Sequence, residues 1–151
     1  MESLFKIWKV NRKIYLNLLN SFTLEQLNKI PTGFNNNLIW NIGHVVAVQQ
    51  LLIYRASNLP MNISQELVSR YKPGTKPEQD ATQAEVDELK ELLISLISKT
   101  EEDYQNGIFT TYNEFSTSAG FQIATLADAF EFNNYHEGMH LGVVLSLRKL
   151  V

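Results

Sequence analysis

Apolar residues recur every three or four positions in four separate stretches of this chain, and this spacing most constrains its fold. Such spacing is typical of α-helices that bury one face and leave the other face in solvent. In the first stretch Lys and Arg fall between the apolar positions, so we expect them on the solvent face. The stretches are residues 2–20, 38–56, 83–105 and 126–149. They predict an all-α fold, a four-helix bundle with long connections between helices. At 151 residues we expect one helical domain over residues 1–151.

Shorter segments separate the four predicted helices. Thr23 begins a short capped turn, and residues 64–70 favour a short helix among Pro- and Gly-containing segments. Thr82 followed by Glu85 is typical of a reciprocal capping box at the start of the third long helix. Residues 108–124 are rich in Thr, Ser and aromatic side chains, and the sequence leaves open whether they form a loop or a short pair of strands. The connections of about 17 to 26 residues leave room for a crossover and for loops over a pocket.

Composition and charge exclude several classes of protein. The chain contains no cysteine, which excludes disulfides, Cys-ligated zinc and a thiol nucleophile of its own. The net charge of −3 is dispersed without a basic run, so we expect no nucleic-acid partner. Residues 30–54 lack charged side chains, but Pro31, Gly33 and His44 favour a loop and a buried helix over a membrane span. Basic residues interrupt the N-terminal apolar pattern, so we expect no signal peptide. The absence of cysteine fits a cytoplasmic location, which we expect.

Two of the three histidines lie four residues apart in the last predicted helix. This spacing places the imidazoles of His136 and His140 on one helix face, one turn apart, as a metal-binding pair requires. The third histidine, His44, lies on a mostly apolar face of the second long helix. We predict that the fold brings all three together around a divalent metal ion. The alternative is that they are hydrogen-bonded core residues, which is the commoner role of a lone histidine on an apolar face.

The segment His136-Glu137-x-x-His140 also matches the helix motif of zinc proteases, in which the glutamate is the general base. We reject this interpretation, because such enzymes take a third ligand downstream and the 11 residues after His140 contain no His, Asp or Glu. On a helix, Glu137 also points about 100° away from the histidines. We therefore expect Glu137 at the surface or beside the ligands.

Three histidines without a carboxylate would make an open site, which favours a catalytic metal over a structural one. Asn41 and Asn133 each lie three residues before a histidine on the same face. They and Glu137 are candidates for hydrogen bonds to ligands or substrate; the alternative for both amides is a structural bond to loop backbone. Imidazole suits Zn, Ni, Fe and Cu alike, so the sequence does not distinguish the metal. No catalytic residue is predicted beyond the ligands.

The order of these motifs resembles the DinB-like (YfiT-like) metalloprotein superfamily. The strings Leu38-Ile-Trp-Asn-Ile-Gly-His44 and Tyr135-His-Glu-Gly-Met-His-Leu-Gly142 are similar to its two metal-binding segments. The resemblance covers nearly the whole chain in helix order. It implies a four-helix bundle of DinB/YfiT type with a crossover, a homodimer, and His44, His136 and His140 as ligands.

The same resemblance implies an activity. Relatives include S-transferases that use bacillithiol and isomerases that use mycothiol, so we expect a metal-dependent enzyme of thiol S-transferase type. Its partners would be a small-molecule substrate and a low-molecular-weight thiol as cosubstrate. The alternatives are a metal-dependent hydrolase that activates water, and a non-enzymatic helical dimer whose histidines are vestigial or core residues. Many relatives carry Gln where Val143 stands, so this chain departs from the family at that position.

Overall fold

The structure, a computed structural model, describes residues 2–151. Within that range the chain is mostly helical, with one small antiparallel hairpin in which Phe115 pairs with Ile123. The predicted all-α class is confirmed. The elements are α1 (Glu2–Ser21), α2 (Leu24–Asn28), α3 (Leu38–Gln50), a π-helical turn (Leu51–Arg55), α4 (Gln65–Tyr71), α5 (Gln83–Gln105), β1 (Phe115–Ser116), β2 (Gln122–Ile123) and α6 (Leu126–Leu147).

The long helices pack as a bundle with α3 in the interior. Helix α1 packs against α5 and α6, and α3 contacts the same two helices as well as α2 and α4. Every residue of α3 is buried, because neighbouring elements cover all of its faces. A helix without a polar stripe belongs in a core of this kind, which explains the absence of charge from residues 30–54. Among residues 2–151, no helix is both long and apolar enough to cross a membrane.

Side-chain caps fix the starting points of the two helices that carry the histidines. The Asn37 side chain accepts a hydrogen bond of 2.9 Å from the Trp40 amide at the start of α3. At the start of α6, Thr125 and Asp128 form a reciprocal capping box. Each cap satisfies backbone N–H groups that have no partner within the helix. The caps therefore fix where each helix begins and, with it, the face of the helix on which each histidine lies.

Helix α4 is fixed to α5 through Glu85, whose side chain was expected to complete the capping box at the start of α5. Thr82 accepts a hydrogen bond from the Glu85 amide, as the capping pattern predicts. The Glu85 carboxylate does not return to Thr82, so this half of the predicted box is wrong. It pairs instead with Arg70 Nε at 2.8 Å and accepts a hydrogen bond from the Tyr71 hydroxyl. This contact holds the end of α4 against the bundle.

The second predicted helix ends in a π turn rather than continuing as an α-helix. The Ala56 amide reaches back five residues to the Leu51 carbonyl at 3.2 Å. The Leu52 carbonyl, which Ala56 would reach in an α-helix, accepts a hydrogen bond of 3.1 Å from the Tyr112 hydroxyl. The Asn113 amide also donates to the Ala56 carbonyl at 2.7 Å. The π turn thus anchors the segment that leads into the hairpin.

One basic side chain of α1 lies in the core. The apolar spacing places the Lys and Arg residues of α1 on its solvent face, yet Arg12 is 0% exposed, so the prediction is wrong for this residue. Arg12 lies between Trp8 and Tyr15, which are also fully buried. A buried guanidinium needs a carboxylate partner, because burial of an unpaired charge is costly.

Candidate metal centre

Helices α3 and α6 bring the three predicted histidines together. One ring nitrogen from each of His44, His136 and His140 lies within 4.8 Å of the other two. The Nε2 atoms of His136 and His44 are 3.3 Å apart. Two nitrogens bound tetrahedrally to zinc at about 2.0–2.1 Å are themselves about 3.3 Å apart. This pair therefore has the separation that a shared metal ion requires.

The backbone of α4 and an aromatic neighbour orient His44. His44 Nδ1 lies 2.7 Å from the Tyr71 carbonyl oxygen, which only accepts hydrogen bonds, so Nδ1 carries the proton. The Trp40 ring stacks on the imidazole at 4.6 Å between centroids. Nε2 of His44 is left with a free lone pair directed at His136. A metal ligand whose other nitrogen is held in this way has a fixed tautomer and ring orientation.

An amide from α3 orients His140 in the same manner. His140 Nδ1 lies 2.9 Å from Asn41 Oδ1. The Asn41 amide nitrogen donates to the Asn37 carbonyl at 2.8 Å and to Asn36 Oδ1 at 3.1 Å, so its oxygen faces the imidazole. His140 Nδ1 therefore donates the hydrogen bond and Nε2 keeps its lone pair. Asn41 is thus in hydrogen-bonding contact with one of the three histidines, across the interface between α3 and α6.

The surroundings keep all three imidazoles neutral. Burial, followed by the proximity of His140, His44 and Arg12, lowers the pKa of His136 to about 3. Burial and then His44 lower the pKa of His140 to about 4. Burial also lowers the pKa of His44, opposed by its hydrogen bond to the Tyr71 carbonyl. Neutral imidazole is the form that binds a metal ion, so at neutral pH the cluster is in its metal-binding state.

The donor set fits a divalent transition metal. His136 Nδ1 is buried and, within residues 2–151, has no hydrogen-bond partner. The other two imidazoles are each fixed by a hydrogen bond at Nδ1, which leaves Nε2 to face the cluster. Three neutral nitrogens with no carboxylate are a ligand set that zinc accepts in open catalytic sites. The residues that would hold the ion are His44, His136 and His140.

Glu137 lies in the core and forms an ion pair rather than a contact with the cluster. Its side chain is 0% exposed, so a surface position is wrong. Arg12 Nη2 donates to Glu137 Oε1 at 2.6 Å, and Arg12 Nε donates to both carboxylate oxygens at 3.1 and 3.2 Å. Both carboxylate oxygens are thus held by Arg12 within the core. Glu137 is therefore not placed to act as the general base of a protease-like site.

Asn133 extends this ion pair instead of contacting an imidazole. Its Nδ2 donates to Glu137 Oε1 at 2.8 Å. Arg12 Nη2 also reaches the Val45 carbonyl at 3.4 Å, and the Tyr15 hydroxyl donates to the Glu137 carbonyl at 2.6 Å. The network joins α1, α3 and α6 at residues adjacent in sequence to two of the histidines. It fixes how α3 and α6 lie relative to each other.

Sequence reasoning missed two residues that support the cluster. Arg12 shares the apolar stripe of α1 with Trp8 and Tyr15, and a charged residue inside such a stripe was the available signal for a buried ion pair. The Tyr71 carbonyl gave no comparable signal, because a backbone acceptor leaves no trace in residue type. Only the packing of α4 against α3 reveals it.

The three histidines line a cavity of about 730 Å³. Its walls come from α3, the π turn, the hairpin segment and α6. The volume lies in the range of small-molecule binding pockets. A metal ion held by the cluster would therefore face a space large enough for substrate.

A family model for the DinB superfamily matches residues 7–144. The match includes all three histidines, Asn41 and the Arg12–Glu137 ion pair. Among curated proteins, none matches the chain.

Proposed function

Since this chain belongs to the DinB superfamily, we propose that it is a metal-dependent enzyme of thiol S-transferase type acting at the three-histidine centre. The observation that carries this proposal is the convergence of three neutral imidazoles within 4.8 Å on the wall of a cavity. Two of the three are held by hydrogen bonds at Nδ1. Such support is expected of ligands to a metal ion, because it fixes the tautomer and leaves Nε2 free to bind.

The charges around the cluster favour an anionic ligand. The three imidazoles are neutral, and the nearest carboxylate along the chain, Glu137, is already neutralised by Arg12. A divalent metal held there would supply uncompensated positive charge that lowers the pKa of a thiol or of water and so generates a nucleophile at neutral pH. A thiolate suits this centre because the chain has no cysteine and a thiol must come from a cosubstrate.

The residues of the chain have separate roles in the proposed reaction. The cavity holds the electrophile. Asn41 and the Tyr71 carbonyl keep His140 and His44 in the tautomer that leaves Nε2 free. In the transfer, the thiol proton passes to solvent and the sulfur forms a bond to an electrophilic carbon. The leaving group departs from that carbon with its bonding electron pair, so atoms and charge balance.

Thiol-dependent turnover tests the proposal. Purified protein, loaded with zinc or stripped by chelation, is assayed against a panel of alkyl and aryl electrophiles with and without a low-molecular-weight thiol. We expect the thiol to be consumed and the thioether to form only when metal and thiol are both present. In His140→Gln we expect neither thiol consumption nor thioether formation. Asn35→Ala, at an exposed position outside the cavity, is the matched control.

Two other outcomes would contradict the proposal. Metal-dependent product formation without thiol would assign the site to hydrolysis by activated water. Turnover that is unaffected by chelation and by His140→Gln would mean that the histidines do not support a metal-dependent reaction. In that case the histidines would be core residues and the reaction would take place elsewhere in the chain.

We also propose that the chain forms a homodimer, as its family resemblance implies. Ile7 and Val10 leave 45% and 57% of their surface exposed on the outer face of α1, and a second copy could cover this apolar area. Light scattering should give twice the mass of one chain, and Ile7→Lys with Val10→Lys should shift it towards one. A single-chain mass at all concentrations would contradict the dimer.

A further inference from the structure

The cavity at the histidines changes character along its length. Helix α3 and the π turn run beside it from His44 to Arg55, a distance of about 16 Å at the rise of an α-helix. The walls between these two residues are mainly apolar. The side chains that give this character are Val48, Leu51, Leu52, Ala56, Phe132 and Met139.

Arg55 is the basic residue that lines this cavity, and within residues 2–151 it forms no ion pair. It is exposed, and in the part of the chain that the structure describes no carboxylate lies within 4.0 Å of its guanidinium. Glu114 lines the same cavity but forms no ion pair with it. Ser116 and Thr117 add hydroxyl groups beside Glu114. The cavity thus has an apolar body, imidazoles in one wall and an unpaired cation about 16 Å along the helix.

We propose that this cavity binds an elongated apolar ligand with a single carboxylate, which pairs with Arg55 while the apolar chain runs towards the three histidines. The apolar walls provide most of the binding free energy, since they remove hydrocarbon from water. Arg55 selects the acid, because a guanidinium pairs with a carboxylate through two parallel hydrogen bonds. As a statement about substrate, the inference rests on the proposed function; as a statement about binding, it does not.

Binding of decanoate to the full chain tests the inference. Titration calorimetry on zinc-loaded and metal-stripped protein compares decanoate with decanol and decylamine, which share the chain but lack the negative charge. We expect decanoate to bind best, and Arg55→Gln to weaken it about tenfold without changing decanol. Arg148→Gln, which removes an exposed arginine outside the cavity, is the matched control and should leave all three ligands unchanged.

A second variant should act in the opposite direction. Glu114→Gln removes a negative charge from the same cavity, so we expect it to tighten decanoate binding about threefold and to weaken decylamine. Equal affinity for decanoate and decanol in the wild type would overturn the inference. So would an acid that binds tighter on zinc loading and is insensitive to Arg55→Gln, because its carboxylate would then lie at the histidines.

These results separate the inference from the proposed function. Binding to the metal-stripped chain requires no catalysis, so absence of thiol transfer would leave the decanoate result intact. Conversely, thiol transfer with no preference for acidic ligands would keep the proposed function and overturn the Arg55 assignment. A fall in the affinity of all three ligands on Arg55→Gln would indicate a disturbed cavity wall and would also contradict the inference.

Discussion

Asn41 links the two helices that carry the histidines through one amide oxygen. Its Oδ1 accepts the Nδ1 proton of His140, and its own amide nitrogen is held by Asn36 and Asn37. The loop before α3 therefore determines which nitrogen of His140 faces the cluster. This is the part that an outer-shell residue plays in a metal site.

Replacement of Asn41 by leucine, a side chain of similar shape without the amide, should weaken metal binding. Without the acceptor, the His140 ring can rotate or change tautomer, and we expect zinc affinity to fall about 10- to 100-fold. Competition with a chromophoric chelator at neutral pH measures this. Asn35→Leu, at an exposed position in the same loop, is the control. Equal zinc affinity in the wild type and Asn41→Leu would show that Asn41 does not orient the ligand.

The Arg12–Glu137 pair should behave as a buried ion pair and not as a surface one. Both side chains are 0% exposed, so Glu137→Gln leaves an unpaired guanidinium in the core and should cost about 3–5 kcal/mol in the free energy of unfolding. Arg12→Met should cost a similar amount. The double variant Arg12→Met/Glu137→Leu should cost less than the sum, because no charge is left buried.

Urea unfolding measures these free energies. Lys13→Met, on the exposed side of α1, is the control and should change stability by less than about 0.5 kcal/mol. Single variants in the ion pair that cost no more than the control would place the pair among weak surface contacts.

Residue type revealed the ligands but not their environment. His136 and His140 were predictable because the helix period is local and relates residues four apart. Asn41 was also among the candidates from its position near His44. The place of Arg12 in the apolar stripe of α1 signalled its burial, but its pairing with Glu137 and the contact of Asn133 with Glu137 were not predictable, because both depend on which face of α1 meets α6. That choice is made by packing between distant segments.

At the scale of elements, the approach of α4 to α3 depends on one glycine. A Cβ at Gly43 would lie 2.6 Å from ring atoms of Tyr71, so only glycine lets the ring pack there. Tyr71 cannot easily move aside, since it is 1% exposed and its hydroxyl binds Glu85. The same residue supplies the carbonyl that orients His44.

Gly43→Ala should therefore destabilise the fold and the cluster together. We expect a loss of about 1–3 kcal/mol from overpacking, and weaker zinc binding because α4 carries the Tyr71 carbonyl away from His44. Gly138→Ala is the matched control in α6, where a Cβ meets nothing within 4 Å. It should stabilise the helix by about 0.5–1 kcal/mol. Thermal unfolding measures both, and a neutral Gly43→Ala would contradict the proposed packing.

The element boundaries were largely predictable, and the exceptions have physical causes. Helix α5 matches its predicted range, because Thr82 and Gly107 mark its two ends in the sequence. The π turn after α3 was not predictable, since the Leu52 carbonyl that it leaves free is bonded by Tyr112, which is distant in sequence. Residues 108–124 combine both alternatives that the sequence left open, a loop that contains a two-residue hairpin.

At the scale of the whole molecule, the buried histidines should make the metal-free protein sensitive to acid. Their folded pKa values lie below the ordinary value of 6.5, at about 3 for His136 and about 4 for His140. At a pH between the folded pKa of each histidine and 6.5, the unfolded chain binds more protons than the folded chain. The stabilisation is complete above pH 6.5 and falls as pH drops, by about 1.4 kcal/mol per pH unit for each histidine that stays neutral.

Urea unfolding at a series of pH values between about 7 and 5 measures this dependence. Stability of the metal-stripped chain should fall steadily over the range, and His136→Gln should show a shallower slope because one titrating group is gone. A free energy of unfolding that stays constant over this range would contradict the burial of neutral imidazoles.

The metal content of untagged protein tests the central claim most directly. We would equilibrate wild type, His136→Gln and Asn35→Ala with zinc and remove the unbound ion. Elemental mass spectrometry then gives the number of zinc ions per chain. We expect one ion per chain in the wild type and in Asn35→Ala, and none in His136→Gln. Wild-type protein without stoichiometric metal, or equal metal in His136→Gln, would contradict the claim that the three histidines bind a metal ion.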